Sequence, residues 1–246
     1  MRTVEVGGVT LGAGMPKICI PVTGTTGAQI LEGARQARAA QADICEWRAD
    51  FFQTLEEAAI AQMIAQLREA LAGIPLLFTI RTRAEGGKAT IPPADYARLN
   101  RCAAQHGAAI VDVELSMPDA ASLIRQMRAQ GVPVIASSHD FQKTPESRVL
   151  LERIGRMRAC GADVAKIAVM PQSVQDVLRL LAVTHEAAQG EGPVVTMAMG
   201  RLGAISRLAG ETFGSAMTFG AAGQGSAPGQ IDAKTLRAAL SAMHEV

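Results

Sequence analysis

Aromatic residues are scarce in these 246 positions: one Trp, one Tyr and six Phe, 3% of the chain. That removes the stacked ring platforms on which single-stranded nucleic acids lie. An excess of one charge is lacking as well. The 24 Lys and Arg nearly cancel the 23 Asp and Glu, leaving +1, so no global field draws a polyanion or an anionic membrane surface. The four cysteines, Cys19, Cys45, Cys102 and Cys160, form no C-x-x-C pair, and no His cluster has metal-ligand spacing. A reducing, cytoplasmic location is expected, without metal. No apolar run is long enough to cross a bilayer, and M-R-T-V-E-V-G-G lacks the apolar core of a signal peptide. Nucleic-acid and membrane partners are not expected.

What is present is alternation. T-V-E-V-G-G-V-T-L reads as a hairpin turning at Gly7 and Gly8. Eight β-rich runs follow, at 17–22, 43–48, 76–81, 109–115, 132–138, 163–169, 194–199 and 216–220. Between them lie segments such as 54–71, 93–106, 173–188 and 232–243, with apolar residues at three- and four-residue spacing. Near-continuous apolar strands joined by crossover helices predict an α/β protein with a buried parallel sheet, and eight units predict a closed (β/α)8 barrel over residues 1–246, with 1–12 as the hairpin. An open doubly wound sheet is the alternative.

In such a barrel the chemistry gathers where the strands end. A period of two points Glu46 and Arg48 to one side, and does the same for Thr79 with Arg81, Asp112 with Glu114, and Ser137 with His139. Opposite charges pairing at exposed strand ends would explain the same pattern. Lys166, in G-A-D-V-A-K-I-A-V-M, is different because apolar residues flank it on both sides. Burying an unpartnered ammonium is expensive, and one escape is loss of the proton, which leaves a nucleophilic amine. The other escape is a partner, Asp163 or Glu114, or a stem that snorkels to water. Among the four histidines, only His139 falls at a strand end, where it is placed for proton transfer. The late glycine-rich segment contains no P-loop, and Pro228 stands where a dinucleotide fingerprint needs glycine. Its backbone N–H groups, Ser226 and Gln230 can still meet an anion, with Arg207 as a carboxylate clamp.

The blocks E-W-R-A-D, L-F-T-I-R-T-R-A-E-G-G, H-D-F-Q-K-T-P, K-I-A-V-M-P-Q-S, I-S-R-L-A-G-E-T-F-G-S-A-M-T-F-G and S-A-P-G-Q-I occur in this order. In them the sequence resembles the type I 3-dehydroquinate dehydratase family. The resemblance implies a barrel closed at the bottom by the hairpin, a homodimer, and dehydration of 3-dehydroquinate to 3-dehydroshikimate in the shikimate pathway that feeds chorismate and aromatic amino-acid biosynthesis. It implies Lys166 as the Schiff-base residue, His139 as proton donor and acceptor, and Glu85 as the carboxylate that orients His139. It also implies substrate contacts from Glu46, Arg48, Arg81, Arg207, Ser226 and Gln230, apolar contacts from Met199 and Phe219, and no cofactor. Pro21 departs from the pattern, because some members carry a serine there near the substrate. Another Schiff-base barrel of the class I aldolase kind, or a sugar-acid-binding barrel without turnover, would share the strand-end lysine and the polar mouth.

Overall fold

A computed structural model describes residues 3–223 and 229–245. The chain opens with the antiparallel strands β1 (Val4–Val6) and β2 (Val9–Leu11). Both turn residues, Gly7 and Gly8, have positive φ (54° and 87°), the requirement of a two-residue turn matched to strand twist. A Cβ on Gly7 would lie 2.9 Å from Pro75 and 3.7 Å from Ala109, which immediately precede two barrel strands. The hairpin therefore packs under the N-terminal ends of the sheet.

The barrel is built from β3 (Lys17–Val22), α1 (Gly27–Ala39), β4 (Ile44–Arg48), α2 (Glu57–Leu71), β5 (Leu76–Thr79), α3 (Pro93–Gln105), β6 (Ile110–Glu114), α4 (Ala120–Ala129), β7 (Val134–Asp140), α5 (Ser147–Ala159), β8 (Val164–Val169), α6 (Val174–Ala188), β9 (Val194–Ala198), α7 (Ile205–Leu208), α8 (Gly210–Phe213), β10 (Met217–Ala221), β11 (Ile231–Asp232) and α9 (Ala233–His244). Strands β3 to β9 pair in sequence, β10 pairs with β3, and the two-residue β11 pairs with β10. The ring shuts where Val194 bridges Ser215 and Ala216 N donates to Val194 O at 2.8 Å. This is the (β/α)8 barrel expected from eight strand–helix units. No helix among the described residues is long and apolar enough to cross a membrane.

Local sequence explains the helix starts. Thr26 caps α1 and Ser173 caps α6, each reciprocated by the residue three positions on, Gln29 and Asp176. Both faces of β4, β5, β6, β8, β9 and β10 are buried. Ile18, Ile20, Val22, Trp47 and Phe78 point outward under the helices, and Trp47 meets Phe78 edge-on with ring centroids 5.5 Å apart. Inward, Cys19, Ile44, Leu77, Ile110, Ile135, Val164, Val195 and Met217 join Val4, Val6 and Leu11 in a second apolar cluster. Those residues form an apolar floor, and the inward positions above it on β4 to β8 are polar except Ala168.

Candidate active site

The period of two brings the polar residues together as the sequence predicts, and the structure adds their partners. Thr79 Oγ1 donates to Glu46 Oε1 at 2.9 Å. Arg81, just beyond β5, is 4% exposed, and its guanidinium is spent on protein: Nη2 lies 2.9 Å from Asp112 Oδ1, and Nη1 donates to Glu114 Oε1 at 3.0 Å and to Ser137 Oγ at 2.9 Å. Its pKa is raised further, because the carboxylates of Asp112, Glu114 and Glu85 outweigh the burial that opposes them. Ser137 Oγ in turn donates to Asp112 Oδ1 at 2.6 Å.

Lys166 is 3% exposed, so the charge is buried, but it is not alone. Nζ donates to Asp112 Oδ2 at 3.1 Å, stands 3.7 Å from Glu46 Oε1 and lies 4.6 Å from the centroid of the Phe219 ring. The partners offered by the sequence, Asp163 and Glu114, are engaged elsewhere. Asp163 accepts from Val134 N and pairs with Arg128, while Glu114 accepts from Thr82 and Arg81. Asp112 has no exposed surface, and although burial favours its neutral form, Arg81 and Lys166 prevail and hold its pKa below the ordinary value.

His139 occupies the sixth position of β7, with Nδ1 2.8 Å from Glu85 Oε2. A carboxylate at Nδ1 selects that nitrogen as the N–H and leaves Nε2 as the base. Burial, then the positive charges of Arg81, Lys166 and Arg48, hold the imidazole well below its ordinary pKa, so it rests neutral. Glu85 also accepts from His139 N at 3.1 Å and from Ser116 Oγ at 2.7 Å. Burial and the neighbouring Glu114 carboxylate push Glu85 up to about 7. Gly86 and Gly87 make this loop possible. Gly86 sits at φ 80°, where a Cβ would collide with the Phe141 ring, and a Cβ on Gly87 would collide with the Arg81 carbonyl.

One cavity receives Lys166, His139, Glu85, Glu46, Arg48 and Arg81, and on its other side Met199, Phe219, Arg207 and Gln230. Ser226 lies outside the described residues. Arg48 is held bidentately by Asp50, at 2.8 Å through both Nε and Nη2. Arg207 is 1% exposed, donates from Nη1 to Phe219 O at 3.3 Å, and is pushed down to about 10 by burial. Pro21 pairs with Glu46 in the register of β3 and β4 but does not line the cavity. Met197 and Ala168, which do line it, share the inward period of Met199 and Lys166, so the signal for them was present in the sequence. Ser116 had no such signal, because it follows β6 in a loop.

A buried amine, a neutral imidazole oriented by a carboxyl group, and cations beside them suit covalent catalysis on a carbonyl compound that carries an acid group. A family model described as type I 3-dehydroquinase matches residues 18–246. The chain is 43% identical to a 3-dehydroquinate dehydratase of Bacillus licheniformis, covering 99% of this chain and 98% of the relative. It is 44% identical to the protein of the same description from Listeria welshimeri, covering 100% and 99%. Among solved structures, a type I 3-dehydroquinate dehydratase from Clostridium difficile with covalent modified comenic acid superposes at a TM-score of 0.95, with 42% identity and coverage of 99% and 98%. The 3-dehydroquinate dehydratase from Geobacillus kaustophilus superposes at 0.96, with 39% identity and coverage of 99% and 97%. By model, identity, coverage and fold together, the chain belongs to the type I 3-dehydroquinase family.

Proposed function

We propose that this protein dehydrates 3-dehydroquinate to 3-dehydroshikimate, a step of the shikimate pathway, through a Schiff base on Lys166. The observation that carries this is the placement of Lys166 Nζ in the same cavity as the His139–Glu85 pair. The C2 proton of a β-hydroxy ketone is too weakly acidic for an unaided imidazole of ordinary pKa ~6.5 to remove. Condensation of Nζ with the C3 ketone gives an iminium, which accepts the electron pair as an enamine when the proton leaves. His139 Nε2 takes the C2 proton and returns it to the departing C1 hydroxyl, so that water leaves from the face on which the proton was lost, a syn elimination. Glu85 holds the ring at Nδ1 throughout.

Arg207 clamps the substrate carboxylate with Gln230 and, from the family pattern, Ser226. Glu46 and Arg48 face the ring hydroxyls, while Arg81 organises the carboxylates behind them. Orientation is a large part of the rate, since a misplacement of about 1 Å costs roughly 10². Met199 and Phe219 cover the apolar side. The covalent modified comenic acid in the Clostridium difficile relative supports a reactive nucleophile in proteins of this kind. Assembly as a homodimer follows from the family pattern, and sedimentation velocity tests it; a cytoplasmic location is supported by the four cysteines, all of them free.

The deciding experiment is incubation with 3-dehydroquinate and borohydride followed by mass spectrometry. A reduced adduct on the peptide containing Lys166, absent from Lys166→Ala, is expected together with a rise in enone absorbance. Binding without adduct or product would favour a sugar-acid-binding barrel.

A further inference from the structure

The geometry points to Asp112 as the counter-ion of the Schiff-base nitrogen, a role that rests on the Lys166 reading above. Two carboxylates approach Nζ, but they stand on different sides of it. Glu46 lines the cavity, where substrate will compete for it, and its Oε1 is shared with Thr79. Asp112 does not line the cavity, has no exposed surface and is nearer, at 3.1 Å against 3.7 Å. Its Oδ1 is fixed by Ser137 at 2.6 Å and Arg81 at 2.9 Å, which leaves Oδ2 directed at the amine. Substrate cannot displace a carboxylate that stands behind the nucleophile.

The charge balance of the reaction gives this arrangement its use. An ammonium that condenses with a ketone loses two protons to the departing water and keeps one N–H, so the nitrogen carries one positive charge before and after. A fixed anion therefore serves both states without rearranging, and the remaining N–H still points to Oδ2. The nitrogen is neutral in passing, in the attacking amine and the carbinolamine that follows, and again in the enamine after His139 has taken the C2 proton; departure of the C1 hydroxyl then restores its charge. The titratable groups around Nζ are Asp112 on β6, Glu46 on β4, His139 on β7 and Cys19 on β3, with the Phe219 ring from β10 and Arg81 behind Asp112. Among them Asp112 is the carboxylate outside the cavity.

Borohydride reduces the protonated iminium, so the rate of trapping with 3-dehydroquinate across a pH series reads the counter-ion directly. Asp112→Asn removes the charge and keeps the shape; trapping should slow at least about tenfold, the worth of a hydrogen bond between charged groups, and its alkaline limb should move to lower pH. Ser137→Ala keeps the charge and strips the 2.6 Å bond, which makes the carboxylate a stronger anion and moves the same limb to higher pH. Opposite movements support the role. A folded Asp112→Asn protein with wild-type rate and profile overturns it, as does a shift of both variants in one direction, the mark of general damage. If Asp112→Asn does not fold, the direction of the Ser137→Ala shift decides. Absence of a Lys166 adduct in the unaltered protein defeats the Schiff-base reading itself, a different failure.

Discussion

The two halves of the barrel mouth are made by the same geometry and opposite chemistry. On β4 to β8 the inward positions above the floor are Glu46, Arg48, Thr79, Asp112, Glu114, Ser137, His139 and Lys166. On β9 and β10 they are Met197, with Met199 just beyond, and Phe219, joined by Ala168 from the end of β8. The amine of Lys166 stands on the border, 3.1 Å from a carboxylate oxygen on one side and 4.6 Å from the centre of an aromatic ring on the other. The polar half moves protons and holds charge, whereas the apolar half withholds the water that would hydrolyse an iminium early.

The largest test breaks the polar half at its base. His139→Ala should lower kcat by about 10² to 10⁴ while leaving Lys166 able to form its adduct. Single-turnover trapping would then show adduct that accumulates rather than turns over, and loss of adduct along with turnover would assign His139 to imine formation alone.

The apolar half is next. Phe219→Leu keeps the backbone carbonyl that Arg207 uses and most of the apolar volume, but removes the ring face from Nζ. A cation–π contact of about 1 kcal/mol predicts roughly a fivefold loss in imine formation, read by the same trapping assay. An unchanged rate would make the ring a filler.

The smallest change sharpens the link between the halves. Glu85→Gln should lower kcat at its optimum by less than about tenfold, since an amide retains part of the hydrogen bonding. The acid limb of its pH–rate profile should move little, because Glu85, raised to about 7, is already protonated where the lowered His139 titrates. Stability carries a separate sign. The folded pKa of Glu85, about 7, lies above the ordinary 4.5, so the native state binds more protons than the unfolded state between those values and loses stability as pH rises through them. Denaturant midpoints at pH 5 and pH 8 should show this loss shrinking in Glu85→Gln.

Strand existence was legible because two-sided burial writes continuous apolar runs, and β3 spans the residues its pattern indicates. Limits were less legible where loops compete with the ladder. The run expected at 76–81 leaves the sheet after Thr79, where Arg81 O instead accepts from Ala89 N at 3.2 Å. The strand expected at 132–138 is shifted to Val134–Asp140, pairing His139 with Ala168 and Asp140 with Val169 across β8. In the site, period two identified which residues face inward, but pairing depends on register between strands far apart in sequence. In the ladder Lys166 is level with Ser137, and Ser137 with Glu114, yet Nζ reaches two rungs lower to Asp112, while Thr82 and Arg81 hold Glu114. No spacing rule contains that competition.

The Gly7–Gly8 turn tucked beneath the strands makes this barrel a cup rather than a tube. Reactant, product and the released water must then share one doorway, so departure from the rim, rather than passage through the vessel, clears the site for the next molecule.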